Sequence, residues 1–312
     1  MAEPAMREAY GRALADYGAL NPLVVALDAD TSSSTLSGYF AAKYADRFFN
    51  VGIAEPCMVD MAAGLAMGGM LPFVNGFAAL IALRALEQVR TCICYNNASV
   101  KIAAGYAGVS DFKDGPTHHA ITDIAIMRSL PGMTVVVPAD AAEAAAFVPL
   151  VADWDGPVYL RLSRSATLPV SQPGEKLRIG KAVLRRPGTH LTLVACGSMV
   201  GRCLQAADSL AGRGINACVL DLHTVKPLDR DMILSAASET GAILTAEEHT
   251  VIGGLGSAVA ELLEQQKPVP LACLGIRDTF ACTGPDPESI MDAYGLGVVD
   301  IVDAAASIIK RK

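Results

Sequence analysis

Glu55 closes the run Asn50-Val51-Gly52-Ile53-Ala54-Glu55 and is followed at once by Pro56. A proline restricts the residue before it to extended backbone and suits the first turn of a helix, so the Glu55 carboxylate is expected at a helix entrance. Taken alone, an acid there only complements the helix dipole. The string Asp114-Gly115-Pro116-Thr117-His118-His119 sets a carboxylate and an imidazole on either side of a Gly-Pro turn, so that Asp114 and His118 can face one cleft. An isolated loop histidine is ordinarily solvated, but a neutral imidazole suits proton movement near pH 7. His119 is expected to be structural.

Two other motifs carry less. Cys92 and Cys94 form a lone C-x-C, read as buried or interface cysteine rather than a metal site. The segment Glu247 to Ala260, EEHTVIGGLGSAVA, reads as a strand end, a glycine turn and a helix start. As a dinucleotide fingerprint it lacks the third glycine and a following acidic residue.

The elements that must hold these groups alternate. Short β-branched runs at Leu23 to Leu27, Val100 to Ala103 and Thr134 to Val137 are interleaved with helical stretches at Pro56 to Met67 and Asp140 to Val151. That rhythm predicts a parallel sheet wrapped by helices. It loosens around Leu168 to Gly180, rich in proline and glycine, and resumes with strands at Leu191 to Ala195, Ala217 to Leu220 and Ala242 to Ala246. The expected architecture is α/β, with two doubly wound domains at 1–168 and 181–312 joined by a linker at 169–180. Met61 to Leu83 holds no charge, but Gly68-Gly69, Pro72 and Asn75 break it, so a buried helix, a strand and a second helix are expected rather than a membrane span. Charge-free helices also suggest a subunit contact.

The composition is consistent with this picture. The 312 residues exceed one ordinary core, and 52% hydrophobic content supports two. A net charge of −7 without a Lys/Arg block argues against a nucleic-acid surface. Eight scattered cysteines and an N-terminus without a cationic start and apolar run predict a reduced, cytoplasmic protein that binds neither nucleic acid nor membrane.

Taken together, the Asn50 to Glu55 run and DGPTHH resemble the pyrimidine-binding half of transketolase, and the likeness extends from Arg7 to the Gly253-Gly254-Leu255-Gly256 loop. The resemblance implies thiamine diphosphate as cofactor. It implies that Glu55 contacts N1′ of the aminopyrimidine, favouring the imino form whose N4′ takes the thiazolium C2 proton. Phe77 aligns with an aromatic of the ring pocket, whereas Leu80 and Leu83 stand where further aromatics are usual. Asp30 matches an acid near the cofactor. By the same likeness His118 contacts the donor's hydroxyls, Asp114 reads the hydroxyl beside the carbonyl carbon, and Arg7, Ser34 and Arg164 match phosphate-binding positions. Tyr106 replaces a phosphate-contacting histidine. The C-terminal domain is assigned mainly to assembly.

No Gly-Asp-Gly occurs anywhere in the chain. Because Mg²⁺ requires several oxygen ligands together with the cofactor's phosphates, no metal ligand is assigned here. The resemblance then implies the small subunit of a split transketolase. A larger subunit with GDG and a following Asn would carry the diphosphate and Mg²⁺, two copies of each chain would assemble, sugar phosphates would be substrates, and this chain alone would be inactive. Two relatives share the domain order, the beta subunit of 2-oxoacid dehydrogenases and deoxyxylulose-phosphate synthase. A non-catalytic partner that keeps the fold is the reading from another class. Tyr106, Leu80 and Leu83 leave room for it, while Glu55, Asp114 and His118 together oppose it.

Overall fold

A computed structural model describes residues 4–312. Its strands are β1 Val24–Asp28, β2 Phe48–Asn50, β3 Leu71–Phe77, β4 Lys101–Gly105, β5 Thr134–Val136, β6 Val158–Arg161, β7 Val183–Arg186, β8 Leu191–Ala195, β9 Ala217–Asp221, β10 Thr224–Lys226, β11 Ile243–Thr250 and β12 Leu271–Ile276. They form two sheets, ordered β10-β5-β6-β4-β3-β1-β2 and β12-β11-β8-β9-β7. All pairings are parallel except the edge strands β10 on β5 and β7 on β9. The fold class is as expected: two α/β units with helices on both faces of each sheet.

Side-chain alternation sorts the core into layers. Val24 and Ala26 of β1 face the helices Met6–Leu20 and Ala141–Ala152, where Tyr10, Leu14, Phe147 and Val151 pack. Val25 and Leu27 face the opposite way, onto helices Glu55–Met67, Ala78–Arg84 and Asp123–Ser129. That second layer is continuous with the helices Arg230–Thr240 and Leu255–Gln266 of the other sheet through Ile233, Leu255 and Val259. The outer face of the second sheet is covered by Met199–Ala211 and Val298–Ile309.

The charge-free stretch folds as helix, β3 and helix, and no described helix is long and apolar enough to cross a membrane. No helix or strand lies between Arg161 and Val183. One feature departs from a partition in chain order. β10, which follows β9, leaves the second sheet and pairs antiparallel with β5 at the edge of the first. A three-residue strand has too few side chains to announce its partner in sequence.

In the first sheet the chain runs from β1 outward to β2, then returns past β1 to β3 and β4. The sheet therefore has a switch point between β1 and β3, and in open parallel sheets ligands bind just beyond the carboxyl ends of the strands at such a point.

Candidate active site

The residues singled out in the sequence lie just past those strand ends. Asp30 follows β1, the Asn50 to Glu55 run follows β2, Phe77 ends β3, Tyr106 follows β4 and Arg164 follows β6. Gly52, with φ +72°, turns the chain from β2 into the helix that Glu55 opens.

The Glu55 side chain is 2% exposed. Its burial matches expectation, but its surroundings are not purely apolar. Arg84, the last residue of helix Ala78–Arg84, donates from one Nη1 to both carboxylate oxygens, at 3.0 and 2.8 Å. Phe77, the last residue of β3, is followed on this helix by Leu80 and Leu83, whose i, i+3 spacing puts them on one side of it as an apolar shelf. The first two are half-buried, and Leu83 is 60% exposed.

Phe77 stacks on Tyr106, with ring centroids 4.2 Å apart and planes at 22°, and meets His118 edge-on at 6.1 Å. Arg7 donates from Nη1 to the Ser34 carbonyl and the Tyr106 hydroxyl, both at 2.8 Å. Ser34 thus meets Arg7 through its backbone, not its hydroxyl. The Arg164 guanidinium lies 5.1 Å from the centroids of both Tyr106 and Phe112 and donates to Asp111 Oδ1 at 3.0 Å. Arg7, Ser34, Tyr106 and Arg164 are one cluster. Asp30 instead holds Asn50, accepting from its side-chain amide and donating its backbone N–H to Asn50 Oδ1, both at 3.1 Å.

Within DGPTHH, Asp114 is exposed and His118 half-buried, its Nδ1 3.0 Å from the Thr117 hydroxyl. His119 is buried, and burial lowers its basicity while Nε2 contacts the Asp111 carbonyl. Asp111 is fully buried, and its Oδ2 has no hydrogen-bond partner among the described residues. Burial first, and the Asp114 carboxylate second, raise the Asp111 carboxyl above its ordinary range.

The C-terminal unit does more than assemble. Glu248 Oε1 accepts from Val109 N at 2.7 Å, and Oε2 accepts from the Ser198 hydroxyl at 2.6 Å. Thr250 N donates to the Ile121 carbonyl, and Gly284 N to that of Phe112. A Cβ on Gly115 would fall 2.6 Å from Thr283 Cγ2. Both ends and the crown of the DGPTHH loop are therefore held across the seam. The contacts across the seam have no local sequence signal, because each joins residues more than a hundred positions apart. Gly108 has φ +63°, and its added Cβ would lie 2.2 Å from Glu248 Oε1. Gly108→Ala is expected to cost about 1–3 kcal/mol in denaturant unfolding. Gly64→Ala, where nothing lies within 4 Å of the added Cβ, is expected to be neutral or stabilising.

The Gly253 to Gly256 loop opens helix Leu255–Gln266, and Glu247 caps it by accepting from Leu255 N at 2.7 Å and Gly256 N at 2.8 Å. Those are the amides a dinucleotide phosphate would need, and a Cβ on Gly254 would sit 2.0 Å from Glu247 Oε2. The turn is structural. Cys94 is buried, with its thiol pushed up to about 11, and Cys92 is half-buried. Among the described residues no group of three or more His, Cys, Asp or Glu is disposed to hold a metal. A buried carboxylate beside a partly open apolar shelf fits the aminopyrimidine end of thiamine diphosphate, and the fit extends to that end alone.

The family model described as transketolase, pyrimidine binding domain, matches residues 2–169, and that described as transketolase, C-terminal domain, matches residues 180–301. The chain is 40% identical to a 6-deoxy-6-sulfo-D-fructose transketolase subunit of Clostridium sp. strain MSTE9, over 98% of this chain and 95% of that one. It is 38% identical to an apulose-4-phosphate transketolase subunit of Phocaeicola vulgatus, over 98% of each. A 1-deoxy-D-xylulose-5-phosphate synthase of Geobacter sulfurreducens is 39% identical, but this chain spans only 48% of its length. Among solved structures, one described as a split gene transketolase, inactive beta4 tetramer, superposes with a TM-score of 0.90 at 44% identity and covers 99% of both chains.

Proposed function

The chain belongs to the transketolase family as a C-terminal-section, small-subunit type, and on that premise we propose that it is one half of a split thiamine diphosphate-dependent transketolase. Its reaction moves a two-carbon ketol unit from a ketose phosphate to an aldose phosphate. The observation that carries this reading is the convergence of a buried Glu55, the Phe77, Leu80 and Leu83 shelf, His118, and the Arg7, Tyr106, Arg164 cluster at one switch point.

Thiamine diphosphate, when bound, supplies the electron sink for the ketol unit. Glu55 holds the proton shared with the ring nitrogen, and the shelf excludes water beside it. Leu80 and Leu83 serve as aliphatic walls where aromatics are usual. His118 and Asp114 orient the donor's hydroxyls, and His118 moves a proton as they react. Arg7 and Arg164 face the substrate's anionic end, with Tyr106 donating where a histidine is usual. The Clostridium and Phocaeicola relatives are described as acting on sugars that carry a sulfonate or a phosphate, which supports an anion-terminated sugar for this cluster. Asp30 lies near the cofactor at the end of β1.

Mg²⁺ and the diphosphate are assigned to a large subunit, two of each chain forming the α2β2 enzyme. The inactive tetramer of β chains described for the structural relative supports both self-association and inactivity alone. The functional units are 1–168 and 181–312, joined by 169–180. The free cysteine thiols agree with the reducing cytoplasm. Calorimetric titration with thiamine diphosphate and Mg²⁺ is expected to saturate at one cofactor per copy of this chain in the mixture, with no binding by either subunit alone. Tight binding by this chain alone would contradict the division of the site.

A further inference from the structure

The Glu55–Arg84 pair was not expected from the sequence, and what it implies rests on the role of Glu55 given above. One partner is fixed inside: the Glu55 side chain is 2% exposed, whereas that of Arg84 is 48% exposed and reaches in from the solvent side. A single Nη1 bridges both carboxylate oxygens. Among the described residues Arg84 is the only ionic partner of Glu55. The other charged groups around this helix are engaged elsewhere. Asp60 interacts with the Cys92 thiol, Glu87 with Arg90 and Thr91, and Asp30 with Asn50.

An ionised carboxylate only accepts hydrogen bonds, and so does an unprotonated ring nitrogen. The two cannot bond until a proton lies between them, and a guanidinium chelating the carboxylate opposes that proton. Arg84 directly follows Leu83, the exposed end of the shelf, and can turn into water at little cost. We propose that Arg84 is a gate residue for the cofactor: it occupies Glu55 in the empty subunit, and entry of the aminopyrimidine displaces it to solvent while Glu55 gains one proton from solution and shares it with the ring nitrogen. No other bond changes. A site whose competent form is only fractionally populated binds with its affinity reduced by that fraction, so Arg84 holds cofactor affinity below what the pocket would otherwise give.

The test is calorimetry of thiamine diphosphate binding to the assembled complex with Mg²⁺ above pH 7.5, in buffers of different ionisation enthalpy, which reads protons taken up per cofactor. The wild-type complex is expected to take up close to one proton. In Arg84→Gln the buried carboxylate loses the cation that opposes a proton on it, and uptake is expected to fall well below that of the wild type with binding about tenfold tighter. Equal uptake in the two proteins, or unchanged or weaker binding in the variant, would overturn the proposal. A structure of the loaded wild-type complex gives a second reading that needs no variant. There Arg84 is expected beyond hydrogen-bond reach of Glu55, and persistence of both contacts would overturn the gate. A wild-type complex that binds no thiamine diphosphate would instead overturn the functional reading itself.

Discussion

Glu55→Gln, assembled with the large subunit, is expected to lower kcat by about 10²–10⁴-fold, the range that positioned proton transfer contributes. Subunit association and thermal unfolding should stay near wild type. Glutamine matches the shape of a side chain that is 2% exposed, so no cavity opens. It keeps an oxygen toward Arg84 but cannot hold and return a proton at the ring nitrogen. Arg84 is half-exposed and finds water when its charge partner is lost. Steady-state rates on a complex shown intact by sedimentation separate loss of chemistry from loss of assembly. Turnover within a few-fold of wild type would remove Glu55 from the mechanism.

Arg185→Met is the second large effect, and it concerns stability. Arg185 lies almost fully buried among three carboxylates: Asp221 at 2.7 Å, Glu175 at 2.7 Å, and Glu143, which accepts from Nη2. The cluster ties helix Ala141–Ala152 of the first unit to β7 and β9 of the second, with Glu175 reaching in from the stretch between them. Removing the single cation leaves carboxylates without compensation where water cannot reach, a loss of about 3–5 kcal/mol at neutral pH. The pH dependence has a definite sign. Burial first, and Asp221 second, raise the Glu143 carboxyl well above its ordinary range even with Arg185 present. The folded state therefore binds that proton more tightly than the unfolded chain. Stability from this group is fully present below the unfolded value near pH 4 and is lost as pH rises through the folded value. Without Arg185 the carboxyl rises further, so the variant's unfolding midpoint should recover on lowering the pH from 7.5 to 5.5. Denaturation midpoints at the two pH values measure this, and a variant equally destabilised at both would contradict it.

Legibility in the sequence followed the range of the forces involved. The Glu55 helix was readable because Pro56 fixes its first turn, and the strands because β1, β4, β8 and β9 are buried along their whole length and read as mostly apolar runs with at most one polar residue each. DGPTHH was readable as a turn because Gly115 has φ +78°. Arg84 was not singled out, although it is the first charge after the apolar stretch Met61 to Leu83. Its partner lies on a helix that only the order of β1, β2 and β3 brings near. Glu248, Thr283 and Gly284 escaped for the same reason on a larger scale, since they reach the DGPTHH loop and its flanks from the other unit. Asp28 escaped because its work is local and hidden. It is fully buried and gathers Thr31, Thr35 and Ser37, which shapes the loop carrying Ser34. The likeness to transketolase suggested roles for single residues; the geometry showed that Arg7, Tyr106 and Arg164 form one cluster and that Asp30 bonds Asn50.

The most direct test of the central claim is two-carbon transfer from xylulose 5-phosphate to ribose 5-phosphate, or to an anion-terminated sugar of the kind the relatives use. It would be assayed with thiamine diphosphate and Mg²⁺ for this chain alone, for the large subunit alone, and for the two mixed. Turnover in the mixture and in neither subunit alone is the predicted result. Transfer by this chain alone, or an intact cofactor-loaded complex that transfers no two-carbon unit from any such sugar, would contradict the account.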